Sequence, residues 1–418
     1  MTFVTIKDTR FYLHHQVYPI KSANYWQGMN LGASEENGGD RARLCQELDQ
    51  MKAMGVNNLR VMASSEGPDD QPYRMRPSLQ PSPGVYNQAI FEGLDYLLDQ
   101  MGQRNMTAVM TLNNFWQWSG GFGQYVAWIT QEAIPYPIKE YDPFVEFCQR
   151  FYDDPTIREQ VKALFYAHIR TVQTRVNRFN QKIYHQDPVI MSWQIANEPQ
   201  SGPQWWYRET ARFIKEGAPY QLISAGIESK EDQADFNHAH DNAYVDYCTC
   251  HCWVENWGQY DPNEPTGISL DHAKQFAIEF IRTRAQWSQE INKTIILEEF
   301  GMARDGWRNP SDGYKYLPST PTQHRDAYYA TLFRQIESLP IYAGDGFWAY
   351  GGLGRSTDKP NQFDMVWLGG NHHHHHTKEG LSTGLDPPHE PKGWYSVYDT
   401  DSTVKIIQGH FKQLDQRT

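Results

Sequence analysis

The chain has 418 residues, of which 39% are apolar, and a formal net charge of −12. This is enough material for a large buried core, and the acidic balance argues against nucleic acid or an anionic membrane surface as a partner. Aromatic residues reach 14%, with 14 Trp and 25 Tyr; where such rings are exposed in a cleft, the apolar face of a sugar can stack on them.

Residues 1–22 contain three short strand patterns, Phe3–Ile6, Phe11–Leu13 and Tyr18–Ile20, expected to cap one end of the fold. Tyr25–Leu31 reads as the first strand of the main sheet. Asp40–Met54 is an amphipathic helix with Leu44, Leu48 and Met51 on one face and Gly55 as its stop. Val56–Met62 is the second strand and carries Arg60, Gln88–Met101 is a helix, and Met106–Leu112 is the third strand. A loop rich in aromatics then runs from Asn113 to about Pro155, too long for a simple connector. The helix Arg158–Asn177 leads into Pro188–Pro199, an apolar strand that stops at a proline. Beyond it come a helix at Trp206–Lys215, strands at Gln221–Ala225 and Val245–Trp253, and a helix at Asp271–Gln289. The strand Thr294–Phe300, helix His324–Ser338, strand Gly344–Tyr350 and helix Thr403–Leu414 complete the pattern.

Some eight alternations of strand and helix predict an α/β fold with a parallel sheet, most simply a closed (β/α)8 TIM barrel with an N-terminal β-hairpin cap and long βα loops. No GxGxxG follows the first strand, which weighs against an open doubly wound sheet. No Gly/Ser or Pro-rich linker divides the sequence, so a single domain over 1–418 is expected, as a monomer. Five cysteines, an odd number, do not form a disulfide framework. No apolar run reaches the length of a membrane span. The start, MTFVTIKDTRFYLHH, has no apolar signal core, which fits either an intracellular protein or a secreted one whose signal has been removed. His372–His376 lie in a segment, 369–380, read as an exposed loop without a catalytic metal.

Two strands end in acids. Pro188–Pro199 delivers Asn197 and Glu198 at its tip; Thr294–Phe300 delivers Glu299, 101 residues later. Three β/α units cover that span, so the two carboxylates should face each other across one barrel mouth. Such a pair is the minimum equipment for glycoside hydrolysis: one group must hold a proton for the leaving oxygen, the other must be ionised. Strict alternation puts Leu297 and Glu299 on one face and Glu298 on the other, in an ion pair among helices or loops. The same alternation gathers Cys248, Cys250 and Cys252 under the helices and turns Thr249, His251 and Trp253 the other way, against a zinc site.

Together, Asn58-Leu59-Arg60-Val61-Met62, Asn197-Glu198-Pro199, His251-Cys252-Trp253, Glu299-Phe300-Gly301 and Trp348 resemble glycoside hydrolase family 5. Leu112–Trp128, Asn24–Asn30 and His251–Gly258 narrow the resemblance to its β-mannanase/β-mannosidase subfamily 7, in order from Phe3 to Tyr398. The resemblance implies a retaining hydrolase of β-1,4-mannosidic bonds in mannan or manno-oligosaccharides, with no cofactor and no metal. It implies Glu198 as acid/base and Glu299 as nucleophile. Arg60, Asn114, Asn197, His251, Trp116, Trp118, Trp253 and Trp348 become substrate-binding residues, with Arg60 holding Glu299 ionised. An exo-acting β-mannosidase, transglycosylation, a β-1,4-glucanase and a non-catalytic sugar-binding barrel stay open as alternatives.

Overall fold

The computed structural model describes residues 2–136, 141–264, 266–305, 317–356, 367–369, 384–390 and 392–417. The strands β1 (Thr5–Lys7), β2 (Arg10–Leu13) and β3 (Gln16–Val17) form a small antiparallel sheet. Eight further strands follow: β4 (Ile20–Asn24), β5 (Asn58–Met62), β6 (Thr107–Thr111), β7 (Ile190–Gln194), β8 (Leu222–Ser224), β9 (Cys248–Cys252), β10 (Ile295–Phe300) and β11 (Tyr342–Phe347). They pair in parallel in the order β8-β7-β6-β5-β4-β11-β10-β9, and a parallel bridge from Ser224 to Tyr247 joins the two ends. The result is the (β/α)8 barrel that the alternation predicted.

The strand sequences show why. In β5, Leu59 and Val61 face outward into the helix layer, while Asn58 and Arg60 face the interior. The barrel axis is therefore filled in layers. Val4 and Phe11 from the N-terminal cap pack with Ile20, Val109, Met191, Leu222, Tyr247 and Ile296 as an apolar floor. Above it, Ser22, Asn58 and Thr107 join in hydrogen bonds of 2.9 Å, so these polar groups are satisfied although buried. The next layer carries Arg60, Gln194 and Glu298, and the strand tips carry the cleft.

The outer ring includes α1 (Gly28–Leu31), α2 (Arg41–Met54), α3 (Gln88–Gln103), α4 (Gly121–Thr130), α5 (Asp142–Asp153), α6 (Arg158–Gln173), α7 (Gln204–Gly217), α8 (Gln233–His240), α9 (Ile268–Glu290), α10 (Gln323–Ser338) and α11 (Thr403–Asp415). Local signals set their ends. Asp40 caps α2 by accepting from the Arg43 N–H at 2.9 Å, and Gly55 ends it in a left-handed conformation. No helix among the described residues is long and apolar enough to cross a membrane.

Three expectations are corrected. The first barrel strand is Ile20–Asn24, not Tyr25–Leu31. The ladder ends where Tyr25 N bonds Arg60 O at 2.9 Å, and the buried run beyond it turns into α1. The long loop after β6 is largely α4 and α5, packed through Phe122 and Phe151, whose rings stack at 4.1 Å. The segment after β8 contains a helix, α8, which Asp232 caps by accepting from Asp235 N. His372–His376 lie outside the described residues.

Candidate active site

At the C-terminal ends of the barrel strands lies a cleft of about 550 Å³. Its lining includes Trp116, Trp118, Asn197, Glu198, Trp253, Glu299 and Trp348. Arg60 and His251 lie directly behind the two acids and bond to them. Asn114 is fully buried and does not line the cleft; its Oδ1 accepts from Asn197 Nδ2 at 3.0 Å and Trp116 N at 3.1 Å. Its bonds therefore position two residues that do line it.

Glu198 sits on a turn with φ +50°, a conformation few side-chain-bearing residues adopt. The surroundings hold it there: Glu198 N donates to Gly226 O and Asn197 N to Asn113 O, both at 2.8 Å. The Glu198 carboxylate accepts from Trp116 Nε1 and from His251 Nδ1, each at 2.6 Å. Glu299 is 3% exposed and is paired with the Arg60 guanidinium through Nη1. Its other oxygen accepts from Trp253 Nε1 at 3.2 Å. Arg60 Nη2 donates to Asn197 Oδ1 at 2.6 Å. Glu198, Glu299 and His251 offer side-chain atoms that all lie within 4.8 Å of one another. That is also the donor count of a metal site, but Arg60 and a protonated His251 already neutralise these oxygens, which disfavours a divalent cation.

The doublet Glu298-Glu299 departs from the expected alternation. Between β9 and β10 the register jumps from Leu297↔Cys250 to Glu299↔His251, leaving Glu298 as an extra, unpaired residue. This is a β-bulge, and it turns both side chains inward. Glu298 accepts two bonds from Gln194 Nε2, at 2.9 and 2.8 Å, and lies 3.5 Å from His251 Nε2 and 3.6 Å from Arg60 Nε. The expected ion pair with outer helices or loops is replaced by one inside the barrel.

Burial pulls the His251 pKa down, but Glu299, Glu198 and Glu298 outweigh it and carry it to about 10. Burial pushes Glu198 up, but the His251 and Trp116 bonds and the Arg60 charge leave it lowered. Both shifts act through the 2.6 Å contact between His251 Nδ1 and Glu198 Oε1. Burial, with the Glu198 charge, pushes Glu299 up against the pull of His251 and Arg60.

The sequence reading did not single out Glu228, Tyr141, Asn256, His389, Glu390 and Trp394, which also line the cleft. Glu228 is driven to about 8, first by burial and then by Glu198. These residues come from loops, where no periodicity marks them. Cys248, Cys250 and Cys252 are buried, free and packed in the outer core.

The whole chain, residues 1–418, matches the family model described as GH family 5 beta-mannosidase-like. The chain belongs to glycoside hydrolase family 5, and it is a glycoside hydrolase. It is similar to a variant of the glycoside hydrolase family 5 mannosidase from Rhizomucor miehei, with 57% identity, a TM-score of 0.92, and coverage of 100% of this chain and 98% of that one. A second variant of that mannosidase, in complex with mannosyl-fructose, matches with 57% identity and a TM-score of 0.91 over 99% of this chain and 97% of its own. Mannan endo-1,4-beta-mannosidase 1 of Solanum lycopersicum is 24% identical over 365 residues, 82% of this chain and 81% of its length. Within this family 5 hydrolase, the carboxylates on the fourth and seventh barrel strands meet at one cleft.

Proposed function

We propose that this protein hydrolyses β-1,4-mannosidic bonds with retention of configuration. The observation that carries this is the approach of the Glu198 and Glu299 carboxylates, whose nearest oxygens lie within 4.8 Å. A retaining pair stands about 5–5.5 Å apart, whereas an inverting pair needs about 6.5–9.5 Å to admit a water. Glu198 passes the proton it shares with His251 to the leaving oxygen. Glu299, whose carboxylate faces the Arg60 guanidinium and accepts from Trp253 Nε1, attacks the anomeric carbon as its anion and forms a glycosyl ester. Glu198 then takes a proton from the water that cleaves this ester, and His251 receives it back. Asn197 has one Nδ2 hydrogen left after its bond to Asn114, placed to donate to the sugar 2-hydroxyl. Trp348 supplies the aromatic floor.

Mannose as the sugar is supported by the names of the relatives. The complex of a 57%-identical mannosidase with mannosyl-fructose, a short saccharide, supports release of single mannose units from short chains over cleavage within long polymers. A product time course on mannohexaose and on polymeric mannan tests this: mannose should appear first from mannohexaose, and the polymer should react slowly. Glu299→Ala should lower kcat by about four orders of magnitude, and azide should restore part of it. A variant of unchanged activity would end the assignment of Glu299 as nucleophile.

A further inference from the structure

We propose that Glu298, the bulged residue of β10, is a positioning residue for this reaction: from below the cleft its carboxylate orients the His251 ring and the Arg60 guanidinium toward Glu198 and Glu299. The inference rests on the roles proposed above for those two acids.

Glu298 is 4% exposed and does not line the cleft, so it cannot touch a sugar. A buried carboxylate costs several kcal/mol to desolvate, and it persists only where partners offset the cost. Here the partners are parts of the site itself. Gln194 Nε2 binds both oxygens, while Gln194 Oε1 accepts from Arg60 Nε at 2.8 Å. This fixes one edge of the guanidinium and leaves Nη1 and Nη2 for Glu299 and Asn197. On the other side, Glu298 Oε2 faces His251 Nε2 at 3.5 Å. An acceptor there requires a proton on Nε2, and the carboxylate on Nδ1 requires a second, so the ring is held as a cation with Nδ1 aimed at Glu198.

The charged groups facing His251 come from four elements. Glu198 follows β7, Glu228 follows β8, Glu298 and Glu299 lie on β10, and Arg60 on β5 stands behind them. Glu198 and Glu299 both lie against Nδ1; among the described residues Glu298 is the one at Nε2. Removing its charge therefore loosens the proton that His251 shares with Glu198.

The test uses the full chain with p-nitrophenyl β-mannoside and mannotriose. Glu298→Gln keeps the shape and an acceptor for Gln194 but removes the charge. Its kcat should fall about tenfold to a hundredfold, with KM within about twofold, and the alkaline limb of kcat/KM should move down by about one pH unit. Glu298→Asp keeps the charge and should leave that limb in place even as kcat falls. Superimposable pH profiles for Glu298→Gln and the wild type, or equal displacement in both variants, would overturn the inference. Should Glu298→Gln not fold, wild-type ¹⁵N-histidine spectra decide. His251, assigned with a His251→Gln variant, should keep both nitrogens protonated to about pH 10, and titration near neutrality would count against the inference. Glu198→Ala separates the two readings. It should lose mannotriose hydrolysis but keep a first-turnover burst on the aryl mannoside. If it does not, the role of Glu198 fails; if it does and the Glu298→Gln limb stays in place, only the role of Glu298 fails.

Discussion

The indole of Trp116 shows how a single bond bears on the Glu198 carboxyl. Its Nε1–H donates to Glu198 Oε2 at 2.6 Å, and this contact favours the charged carboxylate. Trp116→Phe keeps an aromatic ring against Phe144, on which the indole stacks at 6.3 Å, but removes the donor. The Glu198 carboxyl should then rise, and the alkaline limb of kcat/KM should move upward by up to about one pH unit, opposite in sign to Glu298→Gln. A pH–rate profile on an aryl mannoside reads this. A limb that does not move would mean that the indole bond does not bear on the proton that Glu198 is proposed to donate.

Strand tips convert sequence into geometry, and the tip after β7 depends on a neighbour. Glu198 keeps its left-handed turn because its N–H bonds Gly226 O, and Gly226 itself has φ +80°. A Cβ at Gly226 would run into Ala196 O and the Gln194 side chain. Gly226→Ala should therefore cost at least about 2 kcal/mol, seen as a lower Tm in calorimetry, and should reduce kcat about tenfold or more by displacing Glu198. Wild-type Tm and kcat would contradict this account. The same scale explains what could be read from the letters. β5, β7 and β10 were visible because their sides alternate or are wholly apolar, and the two acid tips followed from where those patterns stopped. Strict alternation points Glu298 outward, but it holds only for an unbroken ladder, and a bulge leaves no mark in composition. Tyr25–Leu31 forms a buried turn and a short helix rather than a strand; a buried apolar turn has the same content as a buried strand. Asn114 was legible as part of a motif, but its bonds to Asn197 and Trp116 depend on a contact between two loops.

At the scale of the whole molecule, the C-terminal helix α11 ties the end of the chain to the barrel through His410. Its Nδ1 meets Glu337 on α10 at 2.7 Å, its Nε2 meets Asp345 on β11 at 2.6 Å, and its ring stacks on Phe333 at 3.9 Å. Burial pulls the imidazole pKa down, but Asp345 and Glu337 outweigh it and raise it to about 9. A group whose folded pKa lies above its unfolded value of about 6.5 stabilises the fold fully below pH 6.5 and loses that contribution as pH rises through about 9. The shift corresponds to about 3 kcal/mol. His251 and Glu228 titrate in the same window and also make stability depend on pH, so the raw curve does not isolate His410. Comparison with His410→Gln does, because both proteins share those groups. In urea unfolding, the wild type should exceed the variant by most at pH 6.5, and the gap should shrink by about 3 kcal/mol by pH 9.5. A gap constant across that range would mean that His410 stays neutral between its two carboxylates, and that α11 is held by packing and by bonds such as Lys21–Asp415 at 2.7 Å.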